Sequence, residues 1–181
     1  DVPTQKITQE FIDEIKVPII HVDHHILDNK LHKVKAYNPT IKNKKDDSPV
    51  TALCYNVTKQ NLWLAVIGIV ADWHLTKETR QFAKEFPDLL SPQIKDPAKA
   101  LYESKIGTLA AVFNFILKGK SSEVHKSINN LKKIKNPYEI LDKTTDEGRA
   151  IYKRYNEFNV EYKALYERAE KSVTNDKLIL F

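Results

Sequence analysis

Ile19-Ile20-His21-Val22-Asp23-His24-His25 is a short apolar, β-prone run that ends in an acid followed at once by two imidazoles. A buried strand fixes where its C-terminal side chains point, and carboxylate oxygen and imidazole nitrogen are ligands that Mn²⁺, Zn²⁺ or Fe²⁺ accept in preference to water. Asp-His-His at a strand end therefore reads as half of a metal site. A second acid has a related setting. Leu62-Trp-Leu-Ala-Val-Ile-Gly-Ile-Val-Ala71 is almost wholly apolar, must be buried, and runs into Asp72-Trp73-His74. A carboxylate at the tip of a buried element is costly unless something cationic meets it. A metal would do that, and so would an arginine, a helix N-terminus or solvent at the element's end.

The elements that must position these groups alternate short strands with amphipathic helices. Thr8, the early acids and the apolar residues Phe11, Ile12 and Ile15 predict a helix over 8–15, followed by a strand over 18–22. Period-two alternation predicts a second strand over 31–37, ended by Asn38-Pro39 and a polar loop. Ser48-Pro49 reads as an N-cap and first helical residue. Helices are then expected over 49–59, 61–71, 76–85, 97–103, 106–118 and 121–134. A long amphipathic helix over 145–173 carries Ile151, Tyr155, Phe158, Tyr162, Leu165, Ala169 and Val173 on one stripe. The expected fold class is α/β, a mostly parallel sheet flanked by helices on both faces, with a helix-rich C-terminal half. There is no internal repeat.

A chain of 181 residues with 41% hydrophobic content can bury a core, so one domain, or one and part of another, is expected. The net charge of +5 and pI near 9.1 favour a phosphate-bearing polymer over a membrane as partner. The single cysteine, Cys54, rules out an internal disulfide and suits a reducing compartment; it reads as a small core hydrophobe. No run of roughly 18 apolar residues and no secretory leader occurs, so a cytoplasmic protein with no membrane association is expected. The chain opens on Asp1 and closes on the strand-like Lys177-Leu-Ile-Leu-Phe181, and both ends read as cut from a longer protein.

Val22-Asp-His-His25 after a hydrophobic strand, Asn38-Pro39 following, Ser48-Pro-Val-Thr51 opening a helix, and Gly68-Ile-Val-Ala-Asp72 about fifty residues on together resemble the DHH phosphoesterase family. That family includes RecJ-type single-strand exonucleases, their archaeal relatives, oligoribonucleases and, more distantly, family II pyrophosphatases. The resemblance covers residues 1–80 in detail and the remainder by layout. It implies that Asp1, His24 and Asp72 are metal ligands, with Asp1 bridging two ions, that His25 contacts the phosphate, and that Asp23 orients the histidine pair. It suggests Mn²⁺, with Mg²⁺ as the alternative. Two divalent ions about 3.5–4 Å apart hold an attacking hydroxide against a phosphoryl oxygen and neutralise transition-state charge. The implied domains are a partial DHH domain over 1–143, a long connecting helix over 144–176, and the first strand of a further domain over 177–181.

Two parts of the family pattern are missing. The first motif, a His followed closely by Asp-x-Asp, and the glycine-rich histidine motif of the C-terminal domain do not occur. The 181 residues alone are therefore expected to bind metal weakly and to catalyse little. Lys30, Lys33 and Lys35, with Lys42, Lys44 and Lys45, form the densest basic stretch and could carry a polynucleotide, the alternative being a solvated loop diluted by Asp46 and Asp47. His21 reads as a hydrogen-bonded strand residue, His32 and His125 as solvated, His74 as outside the site, and Trp73 as core rather than a base-stacking platform. Gly68 reads as a close-packing position. The favoured function is a RecJ-like exonuclease on single-stranded DNA or RNA, with replication or repair proteins as partners. The alternatives are a non-catalytic DHH-fold scaffold and a phosphoesterase of short oligonucleotides or other small phosphoesters.

Overall fold

The structure, a computed structural model, describes residues 6–26 and 30–172. Asp1 and the apolar run over 177–181 lie outside the described residues. Packing divides the chain into two compact units, Asp1–Ile106 and Gly107–Phe181. In chain order the elements are α1 (Lys6–Glu14), β1 (Ile20–Val22), β2 (Lys35–Tyr37), a 3₁₀ turn (Pro39–Ile41), α2 (Val50–Thr58), α3 (Leu62–Ala71), α4 (Lys77–Glu85), α5 (Pro97–Glu103), α6 (Lys105–Ile116), α7 (Ser121–Leu131), α8 (Tyr138–Leu141) and α9 (Asp146–Lys171).

β1 and β2 pair in parallel, with Ile20 opposite Lys35 and Val22 opposite Tyr37. The ladder extends one residue beyond each end of β1. The Lys35 N–H donates to the Ile19 carbonyl at 3.0 Å, and the Asp23 N–H donates to the Tyr37 carbonyl at 3.1 Å. The expected α/β character and parallel pairing are present. Among the described residues, however, the sheet has only these two three-residue strands, and the core of the first unit is a helix instead. All three residues of β2 are exposed, and Ile20 is 73% exposed.

That central helix is α3. Trp63, Ala65, Val66, Ile67, Ile69 and Val70 are all buried, and a helix apolar on every side needs neighbours on every side. α2, α4 and α5 supply them, contributing Ala52, Phe82, Ala83 and Ala100 to the buried set. Each fully buried Val or Ile stabilises the fold by about 1.5–3 kcal/mol. The α2 contact is close at one point. A Cβ built on Gly68 would overlap Thr51 Cγ2 and stand 3.0 Å from Thr51 Cβ, so Gly68 has the close-packing role expected of it.

α3 ends in a turn that bears on function. Asp72 caps it with φ −83°, and Trp73 follows in the left-handed region at φ 61°. The Trp73 N–H donates to the Val70 carbonyl at 3.1 Å and the His74 N–H to the Ile69 carbonyl at 3.0 Å. This paired closure ordinarily takes glycine at the left-handed position, and an L-residue there costs about 1–2 kcal/mol.

Local departures from the expected elements have simple causes. α2 begins at Val50 with Pro49 in the capping position, because the Ser48 hydroxyl donates to Asp46 Oδ1 at 2.6 Å instead of capping. α1 starts at Lys6, which places Thr8 inside the helix. Cys54 is exposed, correcting its assignment to the core: α2 buries Val50 and Ala52 near its start, and Cys54 lies one turn beyond Val50, where that burial has ended. In the second unit, α9 is packed on α7 and α8, with Ile151 and Tyr155 buried while residues 161–168 are exposed. Its start is set by the Thr145 hydroxyl, which accepts the Gly148 N–H at 3.1 Å. Phe115 stacks on Tyr155 at 5.7 Å between ring centroids. No helix among the described residues is long and apolar enough to cross a membrane.

Gly68→Ala should lower stability in urea unfolding by about 1–3 kcal/mol, the scale of overpacking a tight contact. The loss should shrink when Thr51→Ala is added. Equal loss in both backgrounds would mean that Thr51 is not the obstructing group.

Candidate metal centre

Asp23 stands where β1 ends, its backbone pinned by Tyr37, its side chain fully buried. Oδ1 accepts a 2.7 Å hydrogen bond from His25 Nδ1. Burial pushes the Asp23 carboxyl up. The hydrogen bonds from the His25 ring and the His24 backbone N–H, with the charge His25 can carry, outweigh burial and hold it below its ordinary value. Asp23 is therefore a carboxylate whose side chain holds the His25 ring. Its Oδ2 is buried with no hydrogen-bond partner, a cost that nearby positive charge would offset.

Asn38 supports the same turn from β2. Its Nδ2 donates to the His25 carbonyl at 2.9 Å, while its Oδ1 accepts from the Thr40 N–H at 2.9 Å and the Thr40 hydroxyl at 2.7 Å. Asn38 is 5% exposed, so the amide serves the histidine turn and the 3₁₀ turn together.

His24 points the other way, toward the end of α3. Its Nδ1 lies 3.1 Å from the Asp47 carbonyl oxygen, which can only accept, so Nδ1 carries the proton. Nε2 is the ring nitrogen that faces Asp72, 3.9 Å from its Oδ2. A ring N–H on a backbone carbonyl is how metal-binding histidines are usually held. His74 completes the cluster. Its Nε2 is 3.2 Å from Asp47 Oδ2, and its ring centroid is 6.5 Å from that of His24. The His24 and His25 rings are 4.6 Å apart. The His74 hydrogen bond, ahead of a small opposing effect of burial, holds the Asp47 carboxyl below its ordinary value.

Two ligands bonded to one metal at about 2.1 Å lie about 3.0–3.4 Å apart when adjacent and about 4.2 Å apart when opposed. The 3.9 Å between His24 Nε2 and Asp72 Oδ2 falls between these limits, so a side-chain adjustment of about half an ångström brings the pair to adjacent coordination. These two residues, with the orphaned oxygen of Asp23 nearby in the chain, suit a divalent cation. Among the described residues no group of three or more His, Cys, Asp or Glu side chains is already gathered for a metal.

Of the residues singled out by sequence, Asp23, His24, His25 and Asp72 come together in the first unit, and Asp1 lies outside the described residues. Lys30 and Lys35 are exposed, whereas Lys33 is engaged with Asp13 at 2.8 Å. His21 is half-buried on β1, and His32 and His125 are exposed. Two readings need correction. Trp73 is 53% exposed, because the left-handed turn lifts it off α3, and His74 belongs to the cluster, because the same turn carries it to Asp47. Asp47 itself had been read as a dilution of the basic loop. Its position just before Ser48-Pro49, which returns the chain into the core, was the available signal.

A carboxylate held below its ordinary pKa contributes stability that is complete above the unfolded-state value and is lost as pH falls through the lower folded value. Unfolding free energy should therefore decline on acidification through and below the ordinary Asp value of 3.8, and Asp23→Asn should flatten that decline while lowering stability at neutral pH. An unchanged acid limb in Asp23→Asn, followed by denaturant titration at a series of pH values, would contradict the assignment of Asp23 as a buried carboxylate stabilised by its hydrogen bonds. No family model matches this chain, and no curated protein or solved structure matches it either.

Proposed function

We propose that the protein is a metal-dependent phosphoesterase of DHH type, a RecJ-like exonuclease that hydrolyses phosphodiester bonds in single-stranded DNA or RNA. One observation carries the reading: His24, held through Nδ1 by the Asp47 carbonyl, turns Nε2 toward Asp72. This is a histidine and a carboxylate from distant parts of the chain arranged as partners for one cation. Mn²⁺ or Mg²⁺, in a two-ion arrangement, would supply the charge that polarises a phosphoryl oxygen and acidifies the attacking water. His24 and Asp72 would hold it, and the resemblance adds Asp1.

The remaining chemistry falls to the chain itself. His25, fixed by the buried Asp23 carboxylate and by Asn38 at its carbonyl, presents a half-exposed ring. When protonated it can donate from Nε2 to a phosphoryl or leaving oxygen. The exposed Lys30, Lys42, Lys44 and Lys45 offer cations to the phosphates of a bound strand, whereas the exposed Lys35 pairs with the opposite end of β1, beside Ile20. The exposed free thiol of Cys54 suits a reducing compartment, so the reading places the enzyme in the cytoplasm, with replication or repair proteins as partners.

The test is Mn²⁺-dependent hydrolysis by the full-length protein of labelled single-stranded DNA, RNA, short oligonucleotides and pyrophosphate. Cleavage of the strands, abolished in His24→Ala, is the expected result. Turnover of none of the four would favour the scaffold reading. Within the enzyme reading, His24→Ala and Asp72→Ala should lose metal and turnover together. His25→Ala should keep metal and slow the reaction about 10²- to 10⁴-fold. Loss of Mn²⁺ affinity in His25→Ala equal to that in His24→Ala, measured by calorimetric titration, would overturn this division of roles.

A further inference from the structure

Trp73 and Tyr102 stand on the surface as an aromatic pair, 53% and 71% exposed, with ring centroids 5.8 Å apart and planes inclined at 75°. Single exposed aromatics are ordinary, but Trp73 occupies a position that favours another residue. It follows the cap of α3 at φ 61°, where the paired hydrogen bonds to Val70 and Ile69 close the helix and where glycine is the usual occupant. Neither helix closure nor core packing calls for an indole there.

Its chain neighbours show what an indole could do. Asp72 faces His24 and His74 bonds Asp47, so Trp73 stands between two residues of the candidate centre in the chain. Tyr102 is near the end of α5, with the exposed Lys99 one turn earlier on the same helix face. Aromatic faces next to cations, beside a centre suited to phosphate, match a nucleotide: base on the rings, phosphates on the charges.

We propose that Trp73, with Tyr102 inclined beside it as a side wall, forms a stacking platform for one base of a single-stranded nucleic acid whose phosphate lies at the Asp72–His24 centre. The proposal rests on the phosphoesterase reading and adds a base-binding subsite to it. Stacking uses the π-face common to all bases, so the subsite holds a strand without selecting its sequence.

Trp63 is only 6% exposed, and the part of the emission change on binding that disappears in Trp73→Phe reports on Trp73. Metal-free full-length protein is titrated with octathymidylate and with the same strand made abasic. Quenching by octathymidylate is expected, with affinity about 5- to 150-fold weaker for the abasic strand and for Trp73→Ala. Tyr102→Ala should weaken binding less, and Trp73→Phe should retain most of it. Trp73→Gly should lose binding while keeping or raising the thermal midpoint, which a purely structural tryptophan would not do. Equal binding of the abasic strand, equal binding by Trp73→Ala, or no binding by the wild type would each overturn the platform. A parallel Mn²⁺ hydrolysis assay separates the two readings. A strand that quenches but is never cleaved contradicts the phosphoesterase reading alone, and cleavage with an unchanged KM in Trp73→Ala contradicts the platform alone.

Discussion

The hydrogen bond between His24 Nδ1 and the Asp47 carbonyl is the contact on which the candidate centre turns. It joins the end of β1 to the loop that enters α2, and it decides which imidazole nitrogen faces Asp72. Without it the ring could rotate or change tautomer, and the 3.9 Å approach of Nε2 to the carboxylate would be one arrangement among several. The same segment is braced from below, because Asp23 continues the β1–β2 ladder through its backbone and grips His25 through its side chain. Two adjacent histidines are thereby held by different hydrogen-bond partners, His24 by the Asp47 carbonyl and His25 by the Asp23 carboxylate.

The opposing wall depends on α3. Its burial on all sides leaves the helix little freedom to slide or rotate, so the turn at its end delivers Asp72, Trp73 and His74 to set positions. That turn departs from the usual preference for glycine, and it does so between two residues of the cluster. Backbone strain of this kind persists where the surroundings over-determine it, often beside a functional site. Asn38 plays a comparable part on the other side, with all its polar atoms engaged in holding two turns together.

The strand carrying Asp-His-His and the helix carrying the apolar run were legible in the sequence because each rests on local pattern: β-branched residues ending in polar ones, or an apolar stretch too long to expose. The pairing of His24 with Asp72 is implied by the family resemblance and not by spacing. The contributions of Asp47 and His74 were not legible, since both depend on a loop and a left-handed turn that bring distant residues within hydrogen-bonding reach. Trp73 was misread for a related reason. An indole beside a buried helix looks like core until the backbone turns it outward. Among the described residues the sheet is limited to two short strands, and the buried helix α3 supplies the core beside them. Cys54 shows the narrower lesson that a residue in phase with a buried one can still be exposed, because the burial of α2 is confined to Val50 and Ala52 near its start.

The most direct measurement is anomalous diffraction at the manganese edge from crystals of the protein equilibrated with Mn²⁺. The account predicts a peak within about 2.3 Å of both His24 Nε2 and Asp72 Oδ2, the range of first-row metal bonds to nitrogen and oxygen. A peak away from this pair, or bound by only one of them, would contradict the claim that the two residues converge on a shared cation.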